Sequence, residues 1–271
     1  MPPVTRTTQK SGSRFYTWRD ANFWSVTTII QGGIPKPALI YWSANQVAEF
    51  VCDNYEMVAG LAASDRDAAY DLLKRAPWRK KEKAADIGTL VHEWIEADRL
   101  DKPMPKVPEQ VEPYLTSFRR FVEDFSPKYE AAEASVFNRK ERYAGTLDAI
   151  VGLRLPQGEP GRYVLDAKSG KGVYPEVGLQ LAAYRYAEFI GAPDGSEQPM
   201  PETDGGLALH LTPDGYKLIE VDTSEQVYAS FLYAREVYRF QLEISKTVLG
   251  AEYTFGELAV HPAQQTLEEV A

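Results

Sequence analysis

Apolar residues recur at helical spacing in four stretches of the first half. They are ALIYWSANQVAEFVCDNYEMVAGLA after Pro37, DAAYDLLKRA ending near Pro77, KAADIGTLVHEWIEADRL over 83–100, and VEPYLTSFRRFVEDF up to Phe125. Residues 64–67 supply helix-starting side chains for the second stretch. Before them, SVTTII at 25–30 is β-branched and reads as a strand, closed by a turn at Gly32, Gly33, Pro35 and Pro37. The first twenty residues are polar and aperiodic, which predicts a loosely held arm.

Beyond Pro127 the period changes. KYEAAEASVFN, RYAGTLDAIVGLRL and RYVLDAKSG are short β-type segments separated by turn residues, and they predict a three-stranded meander. A helix is expected over 175–190, then a Pro, Asp and Gly loop over 191–206. The segment GLALHLTPDGYKLIEVD predicts a hairpin turning at 213–215, followed by a long helix over 224–244 and an acidic tail over 250–271. The resulting order predicts a mixed α/β fold: an arm at 1–20, one domain over 21–249 with a helical part at 37–82 and a core at 83–249, then the tail.

Composition changes this picture little. With 271 residues, 44% hydrophobic and 25% charged, the chain can bury a sizeable core. It has no uninterrupted apolar run of membrane-spanning length, and its start lacks the apolar region of a signal peptide, so a soluble cytoplasmic protein without a membrane partner is expected. The single Cys52 can form no internal disulfide and cannot alone hold an iron–sulfur cluster. The net charge of −9 disfavours non-specific attachment to a polyanion. Yet Lys74, Arg75, Arg79, Lys80, Lys81 and Lys83 cluster, and the sequence leaves open whether they form a DNA-binding patch or a solvated helix face.

The chemistry lies in the strands. In YVLDAKS the two-residue period puts Asp166 and Lys168 on one face, and Asp148 interrupts an otherwise apolar segment of the preceding strand. Neighbouring strands would bring the two carboxylates together as a hard-oxygen site for Mg²⁺ or Mn²⁺. A lysine beside it could stabilise charge on a phosphate. Taken alone, the tripeptide at 166–168 also reads as a surface Asp–Lys pair on an edge strand.

Four segments in order resemble the RecB-like branch of the PD-(D/E)XK nuclease superfamily: GTLVHEWIE with His92, YAGTLDAIVGL with Asp148, VLDAKSGK with Asp166 and Lys168, and EVGLQLAAYRYA with Gln180 and Tyr184 spaced Q-x-x-x-Y. They span roughly 86–189. The family's Pro is replaced by Leu147 and its second acid is Asp166 rather than Glu, both common in the RecB-like group.

The resemblance implies a restriction-endonuclease-like core, with a central mixed sheet flanked by helices and an added N-terminal helical region. It implies that His92, Asp148, Asp166 and the Ala167 carbonyl bind one or two Mg²⁺ or Mn²⁺ ions, with Asp148, Asp166 and Lys168 catalytic. Glu133 would be the acidic residue of the first strand. Gln180 and Tyr184 would contact DNA or support the site, though packing of an amphipathic helix explains their spacing as well. Trp78, with Lys80 and Lys81, is the candidate for stacking and following a single strand; Trp42 and Trp94 read as core. His210 and His261 stay unassigned. Without a cysteine set, the analogy is to cluster-free phage recombination exonucleases and the mitochondrial genome-maintenance exonuclease. The expected activity is metal-dependent exonucleolysis of DNA from single-stranded ends or flaps in recombination, repair or replication. A single-strand-binding or annealing protein is an expected partner. A structure-specific endonuclease and a catalytically silent nucleic-acid-binding module are the alternatives. Oligomeric state, polarity and DNA versus RNA preference are left open.

Overall fold

The computed structural model describes residues 4–8, 14–100, 102–254 and 257–259. Strands β1 (Val4–Thr8), β2 (Arg14–Trp18) and β3 (Ala21–Ser25) lead into α1 (Val26–Gly33). Helices α2 (Pro37–Asp53), α3 (Tyr55–Ser64), α4 (Arg66–Lys74), α5 (Ala76–Arg99) and α6 (Glu112–Phe125) follow. Then come β4 (Lys128–Asn138), β5 (Tyr143–Arg154), β6 (Pro160–Lys168), α7 (Glu176–Arg185), β7 (Phe189–Gly191), β8 (Glu197–Pro199), β9 (Gly205–Thr212), β10 (Gly215–Val221) and α8 (Glu225–Leu242). A short hairpin of β11 (Glu252–Thr254) and β12 (Glu257–Ala259) ends the described chain.

The fold is mixed α/β, built on an open ten-stranded sheet among the described residues. Its centre runs β7, β4, β5, β6, β9, β10, and β3 extends it from the start of β5. Among the described strands, only β3 with β5 and β6 with β9 pair in parallel. One face packs on α1, α7 and α8 through Ile29, Ile150, Val164, Leu181 and Phe231. The other packs on α5 and α6 through Val91, Ile95, Leu115, Phe118, Val151 and Leu165. β5 and β6 are buried on both faces, which is why their sequences read as nearly continuous apolar runs.

Several expectations need correction. Residues 26–30 are helical, not extended, because Val26, Ile29 and Ile30 are buried against α7 and α8 and that burial outweighs β-branched propensity. The expected arm at 1–20 contains β1 and β2, and Tyr16 and Trp18 are buried with Phe137 and Phe189. Helix α7 stops at Arg185, and Phe189–Gly191 pairs with β4 instead of continuing it. The expected loop at 191–206 contains β8. The expected boundary at 83 falls inside α5, which starts at Ala76 with Pro77 in its first turn, where a missing N–H costs nothing. Of the tail, residues 252–254 and 257–259 pair as a hairpin, while 260–271 lie outside the described residues.

Helices α2, α3 and α4 bury one residue each, Gln46, Val58 and Ala69, so this region stands off the core. No described helix is long and apolar enough to cross a membrane. Two glycines set the contact of α1 with α8. A Cβ on Gly33 would lie 2.1 Å from the Ala234 carbonyl oxygen, and one on Gly32 would lie 2.4 Å from the Tyr238 ring. Backbone cannot step aside as a side chain can, so Gly33→Ala forces the helices apart. It should cost about 1–3 kcal/mol, read as a lower urea midpoint at unchanged slope; an unchanged midpoint would mean that the two helices are not held this closely.

Candidate active site

The site lies where β5 and β6 part. Their ladder runs from Arg154 with Pro160 to Ala149 with Leu165, so Asp148 and Asp166 stand at the next rung. There the Ala167 N–H donates to Asp148 Oδ2 at 2.8 Å, a side chain serving the next main-chain donor. The alternation of β5 is also interrupted: Leu147 and Ile150 belong to the α7 face, Ala149 and Val151 to the α5 face. Glu133 of β4, between the rungs Ala132 with Ala149 and Ala134 with Leu147, has φ of 49°, a left-handed conformation that costs a non-glycine residue energy. Backbone strain of this kind concentrates at functional sites.

Helix α5 holds Asp148 from the other side. Arg99 Nη1 donates to the Asp148 carbonyl at 3.2 Å, with the guanidinium over the rings of Tyr129 and Phe118. His92 Nδ1 lies 3.6 Å from Asp148 Oδ2. Glu96, one turn beyond His92, pairs with Lys102 at 2.7 Å. Burial, Asp148 and Glu96 together push the Glu133 carboxyl up to about 7. His92, Glu96 and Arg99 follow the i, i+4, i+7 spacing of one helix face, which already pairs Glu96 with His92 in the sequence and is the signal by which Arg99 could have been found beside them.

Asp166 is only 1% exposed. Its Oδ1 accepts a hydrogen bond from Gln180 Nε2 at 2.8 Å, and its Oδ2 lies 2.6 Å from Lys168 Nζ. Oδ2 is thus a buried oxygen whose partner is the Lys168 ammonium. Desolvation first and Asp148 second raise the Asp166 carboxyl to about 6, against the pull of Lys168. Gln180 Nε2 also reaches the Tyr184 hydroxyl at 3.3 Å, and its Oε1 lies 3.4 Å from Lys168 Nζ. Burial holds the Tyr184 phenol well above its ordinary pKa, as a neutral hydroxyl. Gly145 makes room for that ring, since a Cβ there would lie 2.5 Å from it. Behind it, the hydroxyls of Tyr16 and Thr146 bond at 2.9 Å across 130 residues of chain, a contact with no local sequence signal. His210, the β9 partner of Lys168, bonds the Gly170 carbonyl at 2.8 Å and ties down the loop after β6.

Thus His92, Glu133, Asp148, Asp166, Ala167, Lys168, Gln180 and Tyr184 come together. Trp78 does not: it is exposed, and along α5 it stands about 20 Å from His92 at 1.5 Å per residue. Lys80 and Lys81 belong to α5, but their side chains lie outside the described residues. Among the described residues, no three His, Cys, Asp or Glu side chains are already drawn to the spacing of a metal site. The feature that fits a cation is the buried Asp166 Oδ2, a hard oxygen that already draws the Lys168 ammonium to 2.6 Å and feels the charge of Asp148. A cleft of about 200 Å³ opens beside Lys168 and Gln180, walled by α1, Lys36, the loop at 172–174 and the start of α7.

No family model and no curated protein matches the chain. The crystal structure of SSO0001 is similar over 80% of this chain and 75% of its own, with 13% identity and a TM-score of 0.29, a likeness too slight to inform the site.

Proposed function

We propose that this chain is a divalent-metal-dependent deoxyribonuclease of the RecB-like PD-(D/E)XK type, hydrolysing phosphodiester bonds from single-stranded DNA ends or flaps. The observation that carries the reading is the meeting of Asp148, Asp166 and Lys168 at the β5–β6 fork, with Asp166 buried and its Oδ2 paired to the Lys168 ammonium at 2.6 Å. Asp148, Asp166, His92 and the Ala167 carbonyl would hold Mg²⁺ or Mn²⁺. When bound there, such an ion would lower the pKa of a bound water and offset charge on the phosphate.

The chain's own residues do the rest. Gln180 fixes the Asp166 carboxylate through Oδ1 and leaves Oδ2 for a cation; Tyr184 steadies Gln180 in turn. Once a cation competes for Oδ2, Lys168 can turn its ammonium to the scissile phosphate and stabilise the charge that grows there as water attacks. Arg99 and the Ala167 N–H hold Asp148 at both ends, so the carboxylate needs no reorganisation. Such an enzyme would work in the cytoplasm, or that of a host, in recombination, repair or replication, beside a single-strand-binding or annealing protein.

The close Lys168–Asp166 pair, in which the ammonium occupies Oδ2, favours a second reading, a catalytically silent DNA-binding module. End-labelled linear single strands, linear duplex and circles, incubated with Mg²⁺, Mn²⁺ or EDTA, separate the two. Metal-dependent loss of linear single strands alone is expected. Cut circles would make it an endonuclease, and inertness toward every substrate with DNA still retained on a gel would establish the silent module.

A further inference from the structure

The cleft beside Lys168 has the chemistry of a nucleotide site. Ile30, Val173 and Val177 give it an apolar wall, while Gln31, Lys36 and Lys168 give it polar and cationic groups. A base with its sugar and phosphate has that same two-sided character. At about 200 Å³ it falls below the roughly 300–1,000 Å³ of sites that enclose drug-sized ligands, room for one unpaired base and not for a base pair.

Three further features converge on this cleft. Tyr174 stands at its edge 63% exposed, an aromatic face with no ring contact among the described residues. Gly172, which lines the cleft in the loop after Lys168, has neither a positive φ nor neighbours within 4 Å of an added Cβ, so neither backbone strain nor crowding calls for glycine there. Glycine in such a place leaves space for a close-lying ligand. Lys36 is held across the cleft by Glu176, with 3.1 Å between Nζ and Oε1.

We infer that this cleft is a single-nucleotide subsite, in which Tyr174 stacks the unpaired base next to the scissile phosphate, Lys36 meets the neighbouring phosphate, and Glu176 restrains Lys36 until a strand arrives. The inference rests on the nuclease reading in one respect, that Lys168 marks the scissile phosphate. It assigns single-strand selectivity to a place: a duplex cannot present an unpaired base to the cleft.

The test is equilibrium binding of fluorescein-labelled oligothymidylate and of a blunt hairpin duplex, by anisotropy in Ca²⁺ and in EDTA, alongside cleavage of the same oligonucleotide in Mg²⁺. Base–aromatic stacking is worth about 1–3 kcal/mol, so Tyr174→Ala should weaken oligothymidylate binding about tenfold. Gly172→Leu, which the fold tolerates because its Cβ meets nothing, should weaken it similarly by filling the cleft. Glu176→Gln should tighten it severalfold by freeing Lys36 and removing a carboxylate from the phosphate's path. Duplex binding should not change. Unaltered oligothymidylate affinity in folded Tyr174→Ala and Gly172→Leu would overturn the subsite, as would equal losses on the duplex or no binding by the wild type. Wild-type cleavage with unaffected variants would leave the nuclease reading standing without the cleft. Binding that responds to the variants without any cleavage would do the reverse.

Discussion

Asp166→Asn and Lys168→Ala should each lower metal-dependent hydrolysis of linear DNA by at least about 1,000-fold, the upper end of what removal of one preorganised electrostatic contact costs. Asn keeps the shape of the carboxylate and can still accept from Gln180, so the loss isolates the charge on Oδ2. The alanine at 168 leaves Asp166 unpaired in a buried place, so its carboxyl should climb further above about 6, which compounds the loss of the ammonium. Single-turnover rates in Mg²⁺ and Mn²⁺, with circular dichroism to show both variants folded, measure the effect. Retention of a tenth or more of wild-type activity by either variant would remove that residue from the chemistry.

In EDTA the protein should lose stability as pH rises from about 5 to 8. Asp166 is raised to about 6 and Glu133 to about 7, in both cases by burial first and by Asp148 next. A carboxyl with a raised pKa binds its proton more tightly in the native than in the unfolded state. The unfolded state therefore holds fewer protons than the native state, unfolding releases them, and stability falls with pH between the ordinary and the raised pKa. The loss begins above the ordinary values of 3.8 and 4.5 and is complete above about 7. At 1.36 kcal/mol per unit, with allowance for the partial exposure of Glu133 and for the coupling of both groups to Asp148, the change is on the order of 2–4 kcal/mol. It should appear as a fall of about 5–10 °C in Tm. Mg²⁺ or Mn²⁺ at pH 8 should recover part of it, and Asp166→Asn should flatten the profile while raising Tm above pH 6. A Tm that is level or rising from pH 5 to 8 in EDTA would show that these carboxyls ionise without penalty.

Of the residues that titrate this way, Asp166 was visible as an acid in an apolar strand and Glu133 only through the resemblance of its segment, and the surroundings of neither were legible. Period-two alternation put Asp166 with Lys168, and the short connection after Asp148 made the two strands neighbours; both hold in the fold. Gln180 and Tyr184 also meet, as their spacing on one helix face allows. Trp78 was singled out by its company of basic residues, a compositional cue without geometry, and it stands exposed on α5 about 20 Å from His92. Residues 26–30 were misread for a related reason, since local propensity says nothing of the α7 and α8 surfaces that bury them.

By itself the sequence determined the kind of element at most positions, because a residue's polarity reports the average environment along its own helix or strand. It also determined which acids sit where an acid is costly. Only the tertiary structure decided that β5 and β6 part at Asp148, that Arg99 and the Ala167 N–H hold it, that Glu133 adopts a left-handed backbone, and that Tyr16 comes to Thr146 from 130 residues away. It alone joined α1, Lys36 and Tyr174 into one cleft. These depend on which surfaces meet, and a contact between distant segments leaves no periodic trace in either of them, since each side chain satisfies its own local pattern whichever partner it finds.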